Sequence, residues 1–351
     1  MPTPPEISVI IPVLNGARTI GEQIEALIRD EIPFPWELLI CDNGSTDGTT
    51  SVVEGYRNRI PGLRVIDASA RRGPGAARNQ GAMAARSPKL AFCDADDWVD
   101  RGWVAAARGA LAEHEFVAGY YQYAHLVDRP SFAGVCYGPI VSPLLPNLPA
   151  ASSANLAIRR DLYLELGGFE ESLRTGEDAD LCWRVQLAGH ELFFAPQMRI
   201  LSRRRTGARA AFRQGFSYGV GDRQIKWRYQ LVARAYARQE TPPESGAVPT
   251  QARSPKARRM LALVRKAFTR GVFRLFSTQG RADLAWLAHR PGRRLGQMIG
   301  RRATSLEQVR PPSGPLPHRR ALQYDEALRS LAERSGTVEY RDPAVREAGR
   351  E

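Results

Sequence analysis

Short apolar runs alternate with polar turns and amphipathic stretches along the N-terminal part of the chain. Ile7 to Val13 is β-branched and apolar almost throughout, which predicts a strand buried on both faces of a parallel sheet. After the Asn15-Gly16 turn, Ile20, Ile24, Leu27 and Ile28 recur at helical spacing within Thr19 to Arg29. Glu37 to Cys41 predicts a second strand. The polar run Asp42 to Thr49 then leads into a helix to about Arg59. Leu63 to Asp67 predicts a third strand, and the Gly-rich stretch Arg71 to Asn79 runs into an alanine-rich helix from Ala76 to Ala85. Strands alternating with helices in this way predict an α/β fold with a mostly parallel sheet flanked by helices.

The fourth run, Leu90 to Cys93, ends in Asp94, Asp96 and Asp97. Alternate residues of a strand face one way, so Asp94 and Asp96 are expected on one side of its C-terminal end. Two carboxylates about 4 Å apart repel by roughly 4 kcal/mol at an effective dielectric of about 20. A hard divalent cation such as Mg²⁺ or Mn²⁺ would offset that repulsion. The competing reading is an acidic turn in which Asp97 starts the next helix. Ligands of parallel α/β sheets sit beyond the C-terminal strand ends. Asn15, Asp42, the 73–78 loop and the Asp94/Asp96 pair are therefore expected to converge on one pocket. Gly73-Pro74-Gly75 could be a plain turn, and it lacks the lysine pattern of a P-loop. Beside a metal pair, Arg78 at a helix start suits a pyrophosphate.

Composition changes this picture little. Hydrophobic residues at 43% and charged residues at 25% are ordinary for a globular protein. Cys41, Cys93, Cys136 and Cys182 have no metal-ligand spacing and read as small buried hydrophobes of a reducing compartment. The net charge of +13 is carried by arginine and rises after about Arg199, which suits phosphorylated substrates, anionic lipid or nucleic acid. No nucleic-acid motif accompanies it, so no nucleic-acid partner is expected. Met1 to Glu6 has no signal-peptide character, and no apolar run approaches the length of about 20 residues needed to span a bilayer. The expectation is a cytoplasmic protein, with peripheral attachment to the inner membrane face as an option.

Ser8 to Asn15, Asp42 to Thr49, Gly75 to Asn79 and Asp94 to Asp97, in this order, resemble the family 2 inverting glycosyltransferases of GT-A fold. The resemblance covers about residues 6 to 230. It implies that Pro12, Val13, Asn15, Asp42 and Asn43 line the nucleotide, with Gly75 and Arg78 toward its base or diphosphate. Asp94 would contact ribose or donor sugar and share the metal with Asp96, the direct ligand. Glu177-Asp178, by residue pattern alone a pair of helix-capping carboxylates, then corresponds to the motif carrying the family's base, which makes Asp178 the catalytic candidate. Glu177, Trp183 and Arg203 are assigned to the acceptor or phosphate side. The resemblance also implies a nucleoside-diphosphate sugar as donor, Mn²⁺ or Mg²⁺ as cofactor, and a carbohydrate or lipid-linked acceptor.

Two departures qualify it. The Gln-x-x-Arg-Trp pattern of processive synthases is absent, pointing to a non-processive enzyme. Ser202 stands where many relatives have a histidine, leaving metal dependence open. Arg203 to Arg205, Arg209 and Arg213 form a basic run that is either a solvated face or a partner for phosphates. The tyrosines of 119–141 are expected on strand-like pieces crossing the top of the sheet, and Pro139 to Pro149 is expected to be a proline-broken loop able to border the acceptor. Residues 1–238 are expected to form the catalytic domain, 239–255 a linker, 256–306 a basic amphipathic helical region suited to an anionic membrane surface, and 307–351 a Pro-rich charged tail. The competing functions are a sugar-nucleotide pyrophosphorylase, disfavoured by the Pro12 to Gly16 turn, a catalytically silent protein of the same fold, and a charge-driven scaffold.

Overall fold

The computed structural model describes residues 3–123, 136–203, 208–240, 289–298, 306–314 and 316–317. The linker after residue 240, most of the basic region before residue 289, Arg204, Arg205 and the tail from residue 318 lie outside the described residues.

The strands are β1 (Ile7–Val13), β2 (Trp36–Asp42), β3 (Leu63–Asp67), β4 (Lys89–Phe92), β5 (Trp98–Val99), β6 (Phe116–Tyr123), β7 (Cys136–Tyr137), β8 (Ile140–Ser142), β9 (Leu145–Ala150), β10 (Leu156–Arg159) and β11 (Leu192–Ser202). The helices are α1 (Ile20–Ile28), α2 (Thr49–Glu54), α3 (Pro74–Ala84), α4 (Trp103–Glu113), α5 (Arg160–Glu165), α6 (Glu177–Leu187), α7 (Ala208–Arg228) and α8 (Gln230–Glu240). A further helix, α9, spans 289–298. Among the described residues, nine strands form one sheet in the order β3-β2-β1-β4-β10-β6-β11-β5, with β7 added to β6. The strands β1, β2, β3, β4, β6 and β11 run one way, and β5, β7 and β10 run against them. The expected α/β architecture with a mostly parallel sheet is therefore present.

All of β1 is buried, as its unbroken apolar run requires. Its alternate residues feed two cores. Ile10 joins Leu39, Phe92 and Phe169 on the side of α3, α5 and α6. Val9 and Ile11 join Ile24, Leu27 and Trp103 on the side of α1 and α4. One expectation needs correction: β6, which carries Tyr120 and Tyr121, does not cross the top of the sheet. It lies within it, between β10 and β11, because β10 returns from 33 positions beyond β6 and inserts between β4 and β6.

An irregularity in β11 aims its end at the site. Pairing with β6 jumps from Ala195↔Gly119 to Arg199↔Tyr120, leaving Pro196 to Met198 outside the ladder. Proline has no N–H to donate, so it suits such a bulge. Gly119 is needed here because a Cβ would stand 2.2 Å from the Met198 carbonyl oxygen. Asn155 staples the bulge, donating from Nδ2 to the carbonyls of Tyr120 (2.6 Å) and Met198 (3.0 Å). Beyond the bulge β11 pairs with β5, Leu201 opposite Trp98, so Ser202 reaches the acidic turn.

Residues 306–314 and 316–317 pack on α7 and α8. Leu306 and Leu316 are buried, the Val309 N–H donates to the Arg228 carbonyl, and the Tyr236 hydroxyl donates to the Pro317 carbonyl at 2.7 Å. Cys41, Cys93 and Cys182 are buried free thiols. No helix of the described residues is long and apolar enough to cross a membrane.

Candidate active site

The acidic residues lie on a turn rather than on the strand. β4 stops at Phe92, and the chain turns through Asp94 to Asp97, so strand alternation does not bring the carboxylates together. The turn does: one oxygen from each of Asp94, Asp96 and Asp97 lies within 4.8 Å of the others. Asp97 does not start a helix either, since α4 begins at Trp103. It is the buried member of the cluster. Burial first, then repulsion by Asp94 and Asp96, pushes its carboxyl well above the usual range. It accepts a hydrogen bond from the Arg203 N–H at 3.1 Å and another from Ser202. Asp94 and Asp96 are partly exposed. An all-carboxylate oxygen set under mutual repulsion fits a hard divalent cation.

Arg203 lies across this turn. Its Nε donates to the Asp96 carbonyl at 3.3 Å, Nη2 pairs with Glu22 at 2.7 Å, and the guanidinium stacks 4.0 Å from the Trp98 ring centroid. Arg203 therefore braces the acidic turn with its main chain and side chain together.

Arg78 connects the acidic turn to the second carboxylate pair. It is 2% exposed; Nη2 meets Asp94 at 2.5 Å and Nη1 meets Glu177 at 3.5 Å, with the Phe169 ring 5.3 Å away. Burial alone would lower its pKa, but the Asp94 and Glu177 charges raise it, so the arginine stays ionised. Gly75 makes room for the junction: a Cβ there would stand 3.2 Å from Phe169 and 3.6 Å from Glu177.

Glu177 and Asp178 open α6 behind Gly176, whose φ of 85° is left-handed. The positive end of the helix favours their charge, yet burial prevails. Glu177 rises from its ordinary 4.5 to about 7 through burial and then repulsion by Asp178, against the pull of Arg78. Asp178 is also raised by burial, offset in part by N–H groups. Ala179 N–H donates to its Oδ1 at 2.8 Å, and the Ser153 N–H also bonds it. Both carboxylates therefore hold protons more tightly than exposed ones, as a group that must accept a proton near neutrality does.

The predicted nucleotide-side residues sit at adjacent strand ends. Pro12 and Val13 pair with Cys41 and Asp42 at the ends of β1 and β2. Asn15, with φ 54°, accepts from the Thr46 N–H at 2.8 Å, and Asp42 accepts from the Ser45 N–H at 3.0 Å. Asn43 is spent on structure. It donates to the carbonyls of Ala68 (2.5 Å) and Arg71 (2.7 Å) and accepts from the Gly73 N–H (2.9 Å), fixing the loop that leads to Arg78.

Trp183 does not face the acceptor side. It is 2% exposed, and its Nε1 donates to the Leu148 carbonyl at 2.8 Å, so it is a core anchor holding β9 on α6. Sequence reasoning also missed Asp180. Fully buried, it meets Arg184 at 2.7 Å, Arg228 at 2.5 Å and the Tyr229 hydroxyl at 2.9 Å, tying α6 to the end of α7. The (i, i+4) spacing of Asp180 and Arg184 was the visible signal. The partners on α7 had none.

Residues 8–164 match the model of the family described as Glycosyl transferase family 2. The match covers less than half of the chain. The chain is 26% identical over 235 residues to the Pre-mycofactocin glycosyltransferase of Mycobacterium tuberculosis, covering 62% of this chain and 47% of that protein. It is 30% identical over 205 residues to Glycosyltransferase AglE of Haloferax volcanii, covering 55% of this chain and 65% of AglE. The chain thus spans less than two thirds of either relative's length. A mannosyltransferase from Pyrobaculum calidifontis, solved with GDP-Man and Mn²⁺, shares the fold: TM-score 0.52 at 18% identity, covering 85% of this chain and 88% of that one.

Proposed function

We propose that this chain is a non-processive inverting glycosyltransferase of family 2 that moves a sugar from a nucleoside-diphosphate sugar to an acceptor hydroxyl. The observation that carries this reading is the buried Arg78, which joins the Asp94 end of the acidic turn to Glu177 beside Asp178. A cation site and a base are thereby held in one rigid frame. The family match over residues 8–164 and the relatives' glycosyltransferase names support the reaction class. A setting in cell-envelope polysaccharide, glycolipid or related glycoconjugate synthesis is the corresponding role, with a carbohydrate or lipid-linked acceptor.

Asp94 and Asp96 would hold Mn²⁺ or Mg²⁺, which when bound supplies charge neutralisation to the leaving diphosphate. Pro12, Val13, Asn15 and Asp42 line the nucleotide, and Asn43 sets the loop beneath it. Asp178 Oδ2 takes the proton of the acceptor hydroxyl as its oxygen attacks the anomeric carbon from the face opposite the leaving group. The N–H of Ala179 fixes the other oxygen. Arg78 keeps Asp94 and Glu177 in place and offsets the negative charge that builds as Asp178 ionises. A catalytically silent nucleotide-sugar-binding or membrane-surface protein would keep this frame without turnover.

The test is nucleoside diphosphate release from a panel of sugar nucleotides with Mn²⁺, Mg²⁺ or chelator, followed by the anomeric configuration of the transferred sugar. Metal-stimulated release and an inverted product are expected. A retained configuration would remove Asp178 as base, and no release from any donor would favour the silent protein.

A further inference from the structure

A second concave site lies outside the donor centre. Between the end of α7, the start of α8 and the β8–β9 turn is a cavity of about 440 Å³, lined by Leu144, Arg223, Lys226, Trp227, Gln230 and Arg234. It is defined by two faces of one helix. Gly221, Gln224, Ile225 and Arg228 form the buried face of α7, and there Gly221 abuts Thr175 while Ile225 abuts Gly176, immediately before Glu177 and Asp178. Arg223, Lys226 and Trp227 belong to the neighbouring face and, with Gln230 at the start of α8, line the cavity. The opposite wall is equally tied to α6, since Trp183 and Gln186 hold the carbonyls of Leu148 and Pro149. Both walls are thus fastened to the helix that presents Asp178.

Among the described residues, no acidic side chain pairs with the cations of this cavity. Arg223 donates to the carbonyls of Gln297 (3.3 Å) and Met298 (2.6 Å), which orients its guanidinium without neutralising it. Lys226 and Arg234 are exposed, and among the described residues neither has an acidic partner. Asp222, the acid on this stretch of α7, is engaged by Arg293 at 2.6 Å and Gln297 at 2.9 Å. Three cations converging on one concavity repel each other and favour an anion with several acceptor oxygens. Trp227 and Leu144, packed in part on the core, add an apolar wall beside them. The volume falls in the range of small-ligand sites, about 300–1,000 Å³.

We propose that this cavity binds the phosphate of an amphiphilic acceptor, with Arg223, Lys226 and Arg234 on the phosphate and Trp227 and Leu144 on the adjoining hydrocarbon. The proposal rests on the transferase reading and deepens it by naming the acceptor class. Anchored there, the acceptor is held on the frame that carries Asp178, while its far end stays free to bring a hydroxyl to the base.

The test uses the full chain and farnesyl phosphate, with farnesol and inorganic phosphate as controls, followed by calorimetry. Farnesyl phosphate is expected to bind and both controls to bind at least tenfold more weakly. The exposed pair Lys226→Glu and Arg234→Glu together should weaken farnesyl phosphate by tenfold or more while sugar-nucleotide hydrolysis stays unchanged. Equal binding by the double variant would overturn the proposal, as would displacement of farnesyl phosphate by excess UDP, which would place it in the donor centre. Binding only to phosphatidylglycerol vesicles, with dissolved farnesyl phosphate unbound, would overturn it in favour of a membrane-headgroup patch. Sugar-nucleotide cleavage by wild type is scored separately: cleavage without farnesyl phosphate binding sinks this site alone, and absence of cleavage sinks the transferase reading and the acceptor role with it.

Discussion

Replacing Glu177 with glutamine separates the burial of this side chain from its charge. The residue is 7% exposed, and its carboxyl rises from 4.5 to about 7 because burial and Asp178 disfavour the anion more than Arg78, 3.5 Å away, favours it. A raised carboxyl means that the folded protein keeps a proton the unfolded chain releases. The associated stability is complete below pH 4.5 and lost progressively as pH rises through about 7. At about 1.4 kcal/mol per pH unit the full loss is about 3 kcal/mol. Glutamine is neutral at every pH and nearly the same shape, so it escapes this loss. The two proteins should be of similar stability at pH 4.5, and the variant should gain steadily to about 3 kcal/mol above wild type by pH 8. Urea denaturation at closely spaced pH values measures the difference directly, and titrations that the substitution leaves untouched cancel. A variant less stable than wild type at pH 8 would refute the reasoning, because it would make the ionised Glu177–Arg78 pair a net stabiliser. Removing the negative charge should also ease ionisation of Asp178, moving the acidic limb of the rate profile to lower pH.

Two further substitutions test neighbouring parts of the frame. Asp178→Asn should lower turnover by about 10²–10⁴-fold with donor affinity unchanged in calorimetry, since the side chain is assigned to the acceptor hydroxyl; a parallel loss of donor binding would count against that role. Asp180→Asn leaves Arg184 and Arg228 without their buried counter-charge and should destabilise by about 3–5 kcal/mol, read as a lower denaturation midpoint; a shift under about 1 kcal/mol would mean the arginines find other partners.

Local pattern carried the reading wherever a segment's burial is decided by its own residues. β1, β2 and β4 are legible because their apolar runs without alternation fit strands buried on both faces. The parallel order brings their C-terminal ends to one edge, so Val13, Asp42 and Asp94 belong to one region whatever their exact turns. The turn at Asp94 defeated the strand argument because alternation says nothing beyond the last ladder residue, Phe92. Trp183 was misassigned for a related reason. Beside Glu177 and Asp178 it looks like part of a motif, but it lies further along α6 on the face turned to β9. β10 and Asp180 share a third limit, since what fixes them is distant: β10 needs β4 and β6 as neighbours, and Asp180 needs Arg228, 48 positions away. Ser202 is the opposite case. Placed in the sequence only by its correspondence to a histidine of relatives, it meets Asp97 because β11 is carried to the acidic turn by its pairing with β5.

The most direct measurement of the central claim is calorimetric binding of a turned-over sugar nucleotide to wild type and Asp96→Ala, with and without Mn²⁺. Metal-dependent binding by wild type, weakened tenfold or more in Asp96→Ala with the fold intact, is the predicted result. Equal binding by both proteins, indifferent to metal, would contradict the placing of the donor on the acidic turn.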